Sequence, residues 1–354
     1  MDQTSLYQDA VALLSQLIAI PSFSRQEDQT ASALCLFLGT HGIAHSRSGN
    51  NVWALNAHFD KGKPTILLNS HHDTVKPNPA YTRNPFEATE QDGKLYGLGS
   101  NDAGGSVVCL ISAFRHFYER EDLNHNLALA ITAEEEISGR GGIESILSEL
   151  PPVEVAIVGE PTGTQLAVAE KGLLVLDCTA HGTAGHAARE EGDNAIYRAM
   201  KDMEWFRTFR FEKVSETLGP VKMTVTVVNA GEQHNVVPAE CHFTVDVRVT
   251  DAYTHEEILD VIRAHVTSEV VPRSVRMRAS SISKDHPLVK AGVAMGKTLY
   301  GSPTTSDQAL IPAPSVKCGP GDSARSHSAD EFIYLREISE GIRTYIEMLE
   351  QVIG

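Results

Sequence analysis

Five short clusters of acids and histidines carry the chemistry of this chain, each at the end of an apolar run. They are Ser70-His71-His72-Asp73, Ser100-Asn101-Asp102, Glu134-Glu135-Glu136, Gly159-Glu160-Pro161 and, far downstream, Ser326-His327-Ser328. Carboxylates and imidazoles are the ligands that zinc and similar divalent ions prefer. Groups from five separate strand or loop ends exceed what one tetrahedral ion takes. They suit two ions sharing a bridging carboxylate, which is equipment for splitting a stable amide with water.

Each cluster also has a plainer reading. Residues 65–69 (Thr-Ile-Leu-Leu-Asn) read as a buried strand running into Ser70. Strand side chains alternate, so His71 and Asp73 share one face and His72 takes the other. Asp73 could then hold the second ring nitrogen of a ligating His71 and fix its tautomer. The alternative is two polar residues simply leaving a strand. Asp102 precedes a helical stretch, so it is either an N-cap or a carboxylate placed between two cations. The preceding Gly97-Leu98-Gly99 starts like a dinucleotide loop, but Asp102 stands where the last glycine belongs and no suitable strand comes before it.

A run of acids is usually a solvated face, yet Glu134-Glu135-Glu136 comes straight off an apolar strand and precedes Ser138-Gly139-Arg140-Gly141-Gly142. Adjacent carboxylates in different environments suit one ligand and one general base. Pro161 forces an extended or turn conformation on Glu160, which is a ligand or part of an ordinary turn. The stretch 318–327 is a glycine-rich loop ending in His327, whose backbone N–H groups could hold anionic groups. No Gly-Lys-Ser/Thr follows, which argues against a phosphate cradle.

The elements that must position these groups show in the periodicity. Leu6, Val11, Leu14, Leu17 and Ile18 make a helical stripe stopped by Pro21, and a second helix spans about 28–39. Strand-like runs at 51–56, 65–69, 127–132 and 153–158 alternate with helical stretches at 106–119 and 142–150. This is the pattern of an α/β domain with a largely parallel sheet, whose sites lie at the C-terminal strand ends. Near Gly172 the pattern changes. A strand at 173–180, a helix at 194–206, strands at 221–229 and 241–249, a helix at 256–266 and a last strand at 274–280 give a β-α-β-β-α-β, ferredoxin-like order. Helical pattern resumes at 288–299. The expected division is a catalytic domain of residues 1–172 and 282–354, interrupted by an inserted module of residues 173–281.

Composition sets limits. The chain has 354 residues, 42% hydrophobic and 21% charged, enough for two cores. A net charge of −16 disfavours nucleic acid and anionic membranes as partners. No apolar run approaches the ~20 residues that span a bilayer. The acidic Met1-Asp2-Gln3-Thr4 start is unlike a basic signal peptide, so the expected location is cytoplasmic. Cys35, Cys109, Cys178, Cys241 and Cys318 are scattered without a CxxC pair and read as reduced core thiols.

Taken together, the motifs resemble those of the dinuclear-zinc deacylase and exopeptidase family. That family includes acetylornithine deacetylases, succinyl-diaminopimelate desuccinylases, aminoacylases and several di- and tripeptidases. His71-His72-Asp73 matches its His-x-Asp. Asp102 after Tyr96-Gly97-Leu98-Gly99 matches its bridging aspartate. Glu135-Glu136 matches its acid pair, Gly159-Glu160-Pro161 its Gly-Glu-Pro, and His327 before Asp330-Glu331-Phe332 its late histidine. The resemblance implies a zinc-exopeptidase-like fold carrying two Zn2+ per subunit, with Co2+ or Mn2+ able to substitute. It implies one ion held by His71, Asp102 and Glu160, and the other by Asp102, Glu136 and His327. Glu136 is taken as the ligand because the family's ligand is the final acid before the loop. Glu135 would be the general base and Asp73 the support of His71. A cis peptide after Asp102 is also implied.

The inserted module resembles that family's lid and dimerisation domain. Gly182-Thr183-Ala184-Gly185-His186 matches its Gly-x-x-Gly-His motif. By that resemblance, His186 polarises the scissile carbonyl in the partner of a homodimer, and Asn235 and Arg248 bind the substrate. His181 is read as structural. The Thr304-Thr305-Ser306-Asp307 and Gly319-Pro320-Gly321-Asp322-Ser323 loops favour N-acetylornithine deacetylation, in arginine biosynthesis, with Gly321 and Ser323 at the substrate. Asp307 or Asp322 could meet a cationic side chain, or be solvated loop residues. An N-succinyl substrate would need a receptor for its extra carboxylate, for which Arg325 or Lys317 could serve. N-acetylcitrulline, N-succinylornithine and N-succinyl-diaminopimelate are the neighbouring alternatives, then a dipeptide. A non-catalytic binding module is disfavoured because every ligand and the base are present.

Overall fold

The computed structural model describes residues 3–189 and 191–354. The chain forms two compact units, residues 1–169, 281–300 and 306–354 in the first and 170–280 with 301–305 in the second. The short return of 301–305 to the second unit is not visible in the sequence pattern.

The first unit is built on a mostly parallel sheet. Seven of its nine strands lie in the order His45–Ser48, Asn51–Leu55, Asn126–Thr132, Thr65–His71, Val155–Val158, Ser315–Lys317 and Leu166–Glu170. Thr65–His71 runs parallel to both of its neighbours. Both faces of the sheet are buried at its centre, so Asn126–Thr132, Thr65–His71 and Val155–Val158 read as largely apolar runs, whereas the edge strand His45–Ser48 is partly exposed. Alternation then sorts the side chains. Ile66, Leu68, Leu127, Leu129, Ile131, Val155 and Ile157 join the core that contains the helices Gln3–Ile18, Gly105–Phe117 and Leu335–Ile353. Leu67, Ala128, Ala130, Ala156 and Val158 face the other way, against Ile143 and Ile146 of the short helix Ile143–Ile146. Truncating one such buried leucine to alanine costs about 2–5 kcal/mol.

Register is what matters for function. His71 stands opposite Thr132, and Asn69 opposite Val158. The segments 71–73, 133–136 and 159–160 therefore leave the sheet at one edge, joined there by the loop that follows Lys317.

The second unit has strands Gly172–His181, Lys222–Ala230, Glu240–Val249 and Glu269–Pro272, with the order Lys222–Ala230, Glu240–Val249, Gly172–His181, Glu269–Pro272. Helices Ala195–Thr208 and His255–His265 share its core. This is the ferredoxin-like arrangement. Its last strand is Glu269–Pro272 rather than 274–280. Val270 is buried opposite Cys178, whereas Ser274 Oγ bonds the N–H of Arg276 and draws that backbone into a local turn.

Two other elements differ from expectation. The helix expected at 288–299 is Pro287–Ala294. It ends because Gly296 adopts φ +81° and the N–H of Lys297 returns to the Gly292 carbonyl at 3.0 Å, a left-handed cap. Leu335–Ile353 is a long amphipathic helix outside the strand–helix alternation described above.

Candidate active site

His71 is 1% exposed at the end of its strand. Its Nδ1 lies 3.0 Å from the carbonyl oxygen of Asp73 and 3.4 Å from Oδ1 of the same residue. Asp73 thus faces the ring as the alternation requires, with its main chain closer than its carboxylate. The shortest bonds to that carboxylate come from Ser24 Oγ at 2.7 Å and the N–H groups of Glu135 at 3.0 Å and Glu136 at 3.2 Å. His72 points away, between Thr30 Oγ1 and the Asn50 carbonyl, both at 2.9 Å, and is a buried structural histidine.

The other ring nitrogen of His71 looks into a ring of acids. Its Nε2 lies 3.3 Å from Asp102 Oδ1, 3.7 Å from Glu160 Oε1 and 3.8 Å from Glu135 Oε2. Asp102 is not a cap: Gly104 precedes the helix Gly105–Phe117, and Asp102 has extended backbone at φ −122° and ψ 100°. The Asp102–Ala103 peptide is cis. Oδ2 of Asp102 faces the opposite way, 3.8 Å from Nε2 of His327. One carboxylate therefore addresses two imidazoles, one with each oxygen.

The three consecutive glutamates separate into three environments. Glu134 adopts φ 56°, and its carboxylate accepts the N–H of Gly141 at 3.2 Å inside the glycine-rich loop. Glu135 turns toward His71. Glu136 lies 3.0 Å from Nε2 of His327. Glu160 follows Gly159, whose N–H bonds the Asn69 carbonyl at 2.7 Å and whose Cα packs so tightly that a Cβ would meet Leu110 at 2.8 Å and Ser106 at 2.9 Å.

Electrostatics record the crowding. Burial raises the pKa of Glu135, and Glu160, Asp307 and Glu136 add to that rise, so the carboxyl sits well above its usual range despite His71. Burial also raises Glu136 against the pull of His327. Burial alone would lower His71; Glu135, Asp102, Asp73 and Glu160 outweigh it and hold the ring well above its ordinary value. For Asp102 the balance tips the other way, since His71, Ser326 and His327 overcome desolvation and lower it. Its bond to Glu136 pushes His327 up to about 9.

Such a set of acids around shared imidazoles fits divalent cations, because like charges brought together out of water need a compensating positive charge. Ligand atoms of His71, Asp102 and Glu136 lie within 4.8 Å of one another, as do those of His71, Glu135 and Glu160. The donor set, imidazole and carboxylate without thiolate, suits zinc, manganese or cobalt.

Gly321 is buried at φ +88°, where a Cβ would meet Asn101 Oδ1 at 2.5 Å. That side chain pairs with both the N–H (3.0 Å) and the carbonyl (3.1 Å) of Asp322, so Gly321 shapes the loop. Ser323 is exposed at the first position of a short turn capped by Asp322. Arg325 is engaged by Glu337 at 2.8 and 2.9 Å, and Lys317 is buried. Asp307 is buried too, accepting from Thr132 Oγ1 at 2.7 Å, and burial pushes its pKa up to about 6.

In the second unit, His186 and Asn235 come together on a small ribbon. His186 pairs with Val236, and the Asn235 carbonyl accepts the N–H of Ala187 at 3.0 Å. His186 Nδ1 accepts the Ala188 N–H at 3.1 Å, which makes Nε2 the donor nitrogen of the ring. Arg248 is forked onto Asp246 at 2.9 and 3.0 Å. His181 lies between Glu240 and Glu269, at 3.6 and 3.4 Å.

Sequence reasoning missed the buried carboxylates behind the centre. Glu331 accepts the N–H groups of Gly99, Asn101 and Asp102, and burial pushes its pKa up to about 7. Glu27 accepts the N–H of Glu134 at 3.3 Å and the amide of Asn50 at 2.8 Å. An acid that opens a strand or precedes a helix, as these do, was the available signal.

The model for peptidase family M20/M25/M40 matches residues 67–351. The chain belongs to that family. It is accordingly a metal-dependent hydrolase, in company with metallopeptidases and deacylases. It is 28% identical over 359 residues to an acetylornithine deacetylase of Proteus mirabilis (strain HI4320), covering 91% of each protein. It is 25% identical over 323 residues to a succinyl-diaminopimelate desuccinylase of Gluconobacter oxydans (strain 621H), covering 84% of each. The crystal structure of a tripeptidase from Staphylococcus aureus superposes with a TM-score of 0.79 at 19% identity, over 98% of both chains. This M20 chain therefore shares that mixed α/β fold. Among its described residues, no helix is long and apolar enough to cross a membrane.

Proposed function

We propose that this M20 hydrolase removes the acyl group from an N-acyl amino acid, with N-acetylornithine as its best substrate and two zinc ions as its resident metals. The observation that carries the reading is Asp102, with Oδ1 toward His71 and Oδ2 toward His327. Glu160 would complete the His71 side and Glu136 the His327 side. Two cations there would polarise the acyl oxygen and lower the pKa of water.

The residues divide the remaining work. Glu135 lies beside His71 without being needed as a ligand, so it takes the proton from the attacking water and returns it to the departing amine. Asp73 holds His71 and the Glu135-Glu136 backbone. His186, acting from a second copy of the chain, donates Nε2–H to the developing oxyanion. Asn235 would receive the amino-acid end together with Arg248, whose fork, more exposed than that of Arg325, would have to leave Asp246 to do so. For the acyl end, a short group is favoured over succinyl because Arg325 is already forked onto Glu337. A homodimer through the second unit is supported by the edge strand Lys222–Ala230, which exposes Val227 and Val228, and by Tyr197 and Met200 exposed on Ala195–Thr208.

The test is a zinc-loaded sample assayed on N-acetylornithine, N-acetylcitrulline, N-succinylornithine, N-succinyl-diaminopimelate and dipeptides. The highest kcat/KM is expected on N-acetylornithine. Preference for a succinyl substrate would move the assignment to the desuccinylases, and activity on dipeptides alone would make it a peptidase.

A further inference from the structure

Glu331 is 2% exposed and immediately precedes the strand Phe332–Tyr334. Its Oε2 accepts the N–H of Gly99 at 3.1 Å, and its Oε1 accepts those of Asn101 at 2.8 Å and Asp102 at 3.0 Å. Its main chain joins in, the carbonyl accepting the Gly97 N–H at 3.0 Å and its own N–H donating to Tyr81 Oη at 3.3 Å. The stretch from Gly97 to Asp102 is irregular, so these amides lack a ladder to satisfy them. Each would cost about 1–3 kcal/mol if buried without an acceptor.

Satisfying amides does not by itself call for a carboxylate, but this placement does more. Asp102 and His327 are far apart in sequence and approach to 3.8 Å. Glu331 belongs to the segment that carries His327, and it grips the peptide N–H of Asp102 itself. It is a brace between two groups that must face the same cation. A carboxylate offers only acceptors, whereas the amide of glutamine would set an NH2 against a backbone N–H.

We propose that Glu331 is a positioning residue that fixes Asp102 against His327 and so sets the affinity of the cation held on the His327 side. This rests on the two-cation reading above. The test is titration of the chelator-stripped full-length protein with Zn2+ by calorimetry and with Co2+ by visible absorption. Wild type should show two binding steps. In Glu331→Gln the step on the His327 side should weaken about 10–100-fold with its Co2+ band lost or shifted, while the step assigned to His71 and Glu160, which shares Asp102, should weaken clearly less. If Glu331→Gln does not fold by circular dichroism, Glu331→Asp takes its place, with a smaller weakening of the same step. Wild-type affinity for both steps in the variant overturns the proposal. So does equal weakening of both steps, or loss of the fold in both variants, since either marks a purely structural role. A wild type that binds a single cation removes the two-cation reading itself, and the brace with it.

Discussion

The carboxylate of Asp73 accepts the backbone N–H of Glu135 at 3.0 Å. It also accepts the N–H of Glu136 and faces Nδ1 of His71, so one buried side chain aligns an imidazole and two acids from different strands. Burial would raise its pKa, but the bonds from His71, Ser24 and Glu135 prevail and hold it below the usual carboxylate value. Asp73→Asn keeps the shape and loses both the charge and one acceptor. It should lower metal affinity or kcat about 10–100-fold with little change in KM. Metal content by mass spectrometry alongside steady-state kinetics measures both, and unchanged values would leave Asp73 without the role given to it.

Glu135 is assigned proton transfer and no ligation, and the two can be separated. Glu135→Gln should retain its cations and lose about 10²–10⁴-fold in kcat. Rapid turnover by this variant would place the base elsewhere.

Cation binding should release protons. Without metal, His327 lies at about 9, so its ring carries a proton at neutral pH, and the surrounding acids hold His71 above its ordinary pKa. Ligation requires neutral imidazole. Affinity should therefore rise with pH until His327 deprotonates near 9 and fall as the medium becomes more acidic. Calorimetry of Zn2+ binding in buffers of different ionisation enthalpy counts the protons released. A binding constant indifferent to pH between about 6 and 8 would contradict these assignments.

Much of the centre was legible because acids and histidines recur just beyond several apolar strands, each with a plainer reading alone but together at the C-terminal end of one parallel sheet. His71, Glu135, Glu136 and Glu160 were singled out at such strand ends, their separate roles coming from the family resemblance, and the structure brings their ligand atoms close together. Two-residue alternation also separated His71 from His72 correctly. Glu331 was hidden because its partners, the amides of 99–102, lie more than two hundred residues upstream, and no local period reports such a bond. Ser315–Lys317 is too short to show alternation. The helix Leu335–Ile353 was readable in principle, since Ile338, Ile342, Tyr345, Leu349 and Ile353 recur at helical spacing and are buried. Arg248 illustrates the opposite limit. Its type suggests a carboxylate receptor, but only coordinates reveal that Asp246, two residues away, already holds its fork.

The glycines after the glutamate run give the last prediction. A Cβ at Gly139 would lie 2.0 Å from Oε2 and 2.6 Å from Cβ of Glu134, and one at Gly141 would lie 2.5 Å from Oε1. Those glycines leave room for the Glu134 side chain, which is pinned there by the Gly141 N–H. Gly139→Ala should therefore displace Glu134, destabilise the first unit by about 1–3 kcal/mol through overpacking and disturb the adjoining Glu135. Combining it with Glu134→Ala removes most of the colliding atoms while leaving Cβ. The double variant should recover part of the lost stability, giving a coupling of about 0.5–3 kcal/mol in a thermodynamic cycle. Denaturant melts of the four proteins provide the measurement, and strictly additive effects would show that the glycine loop is not shaped around Glu134.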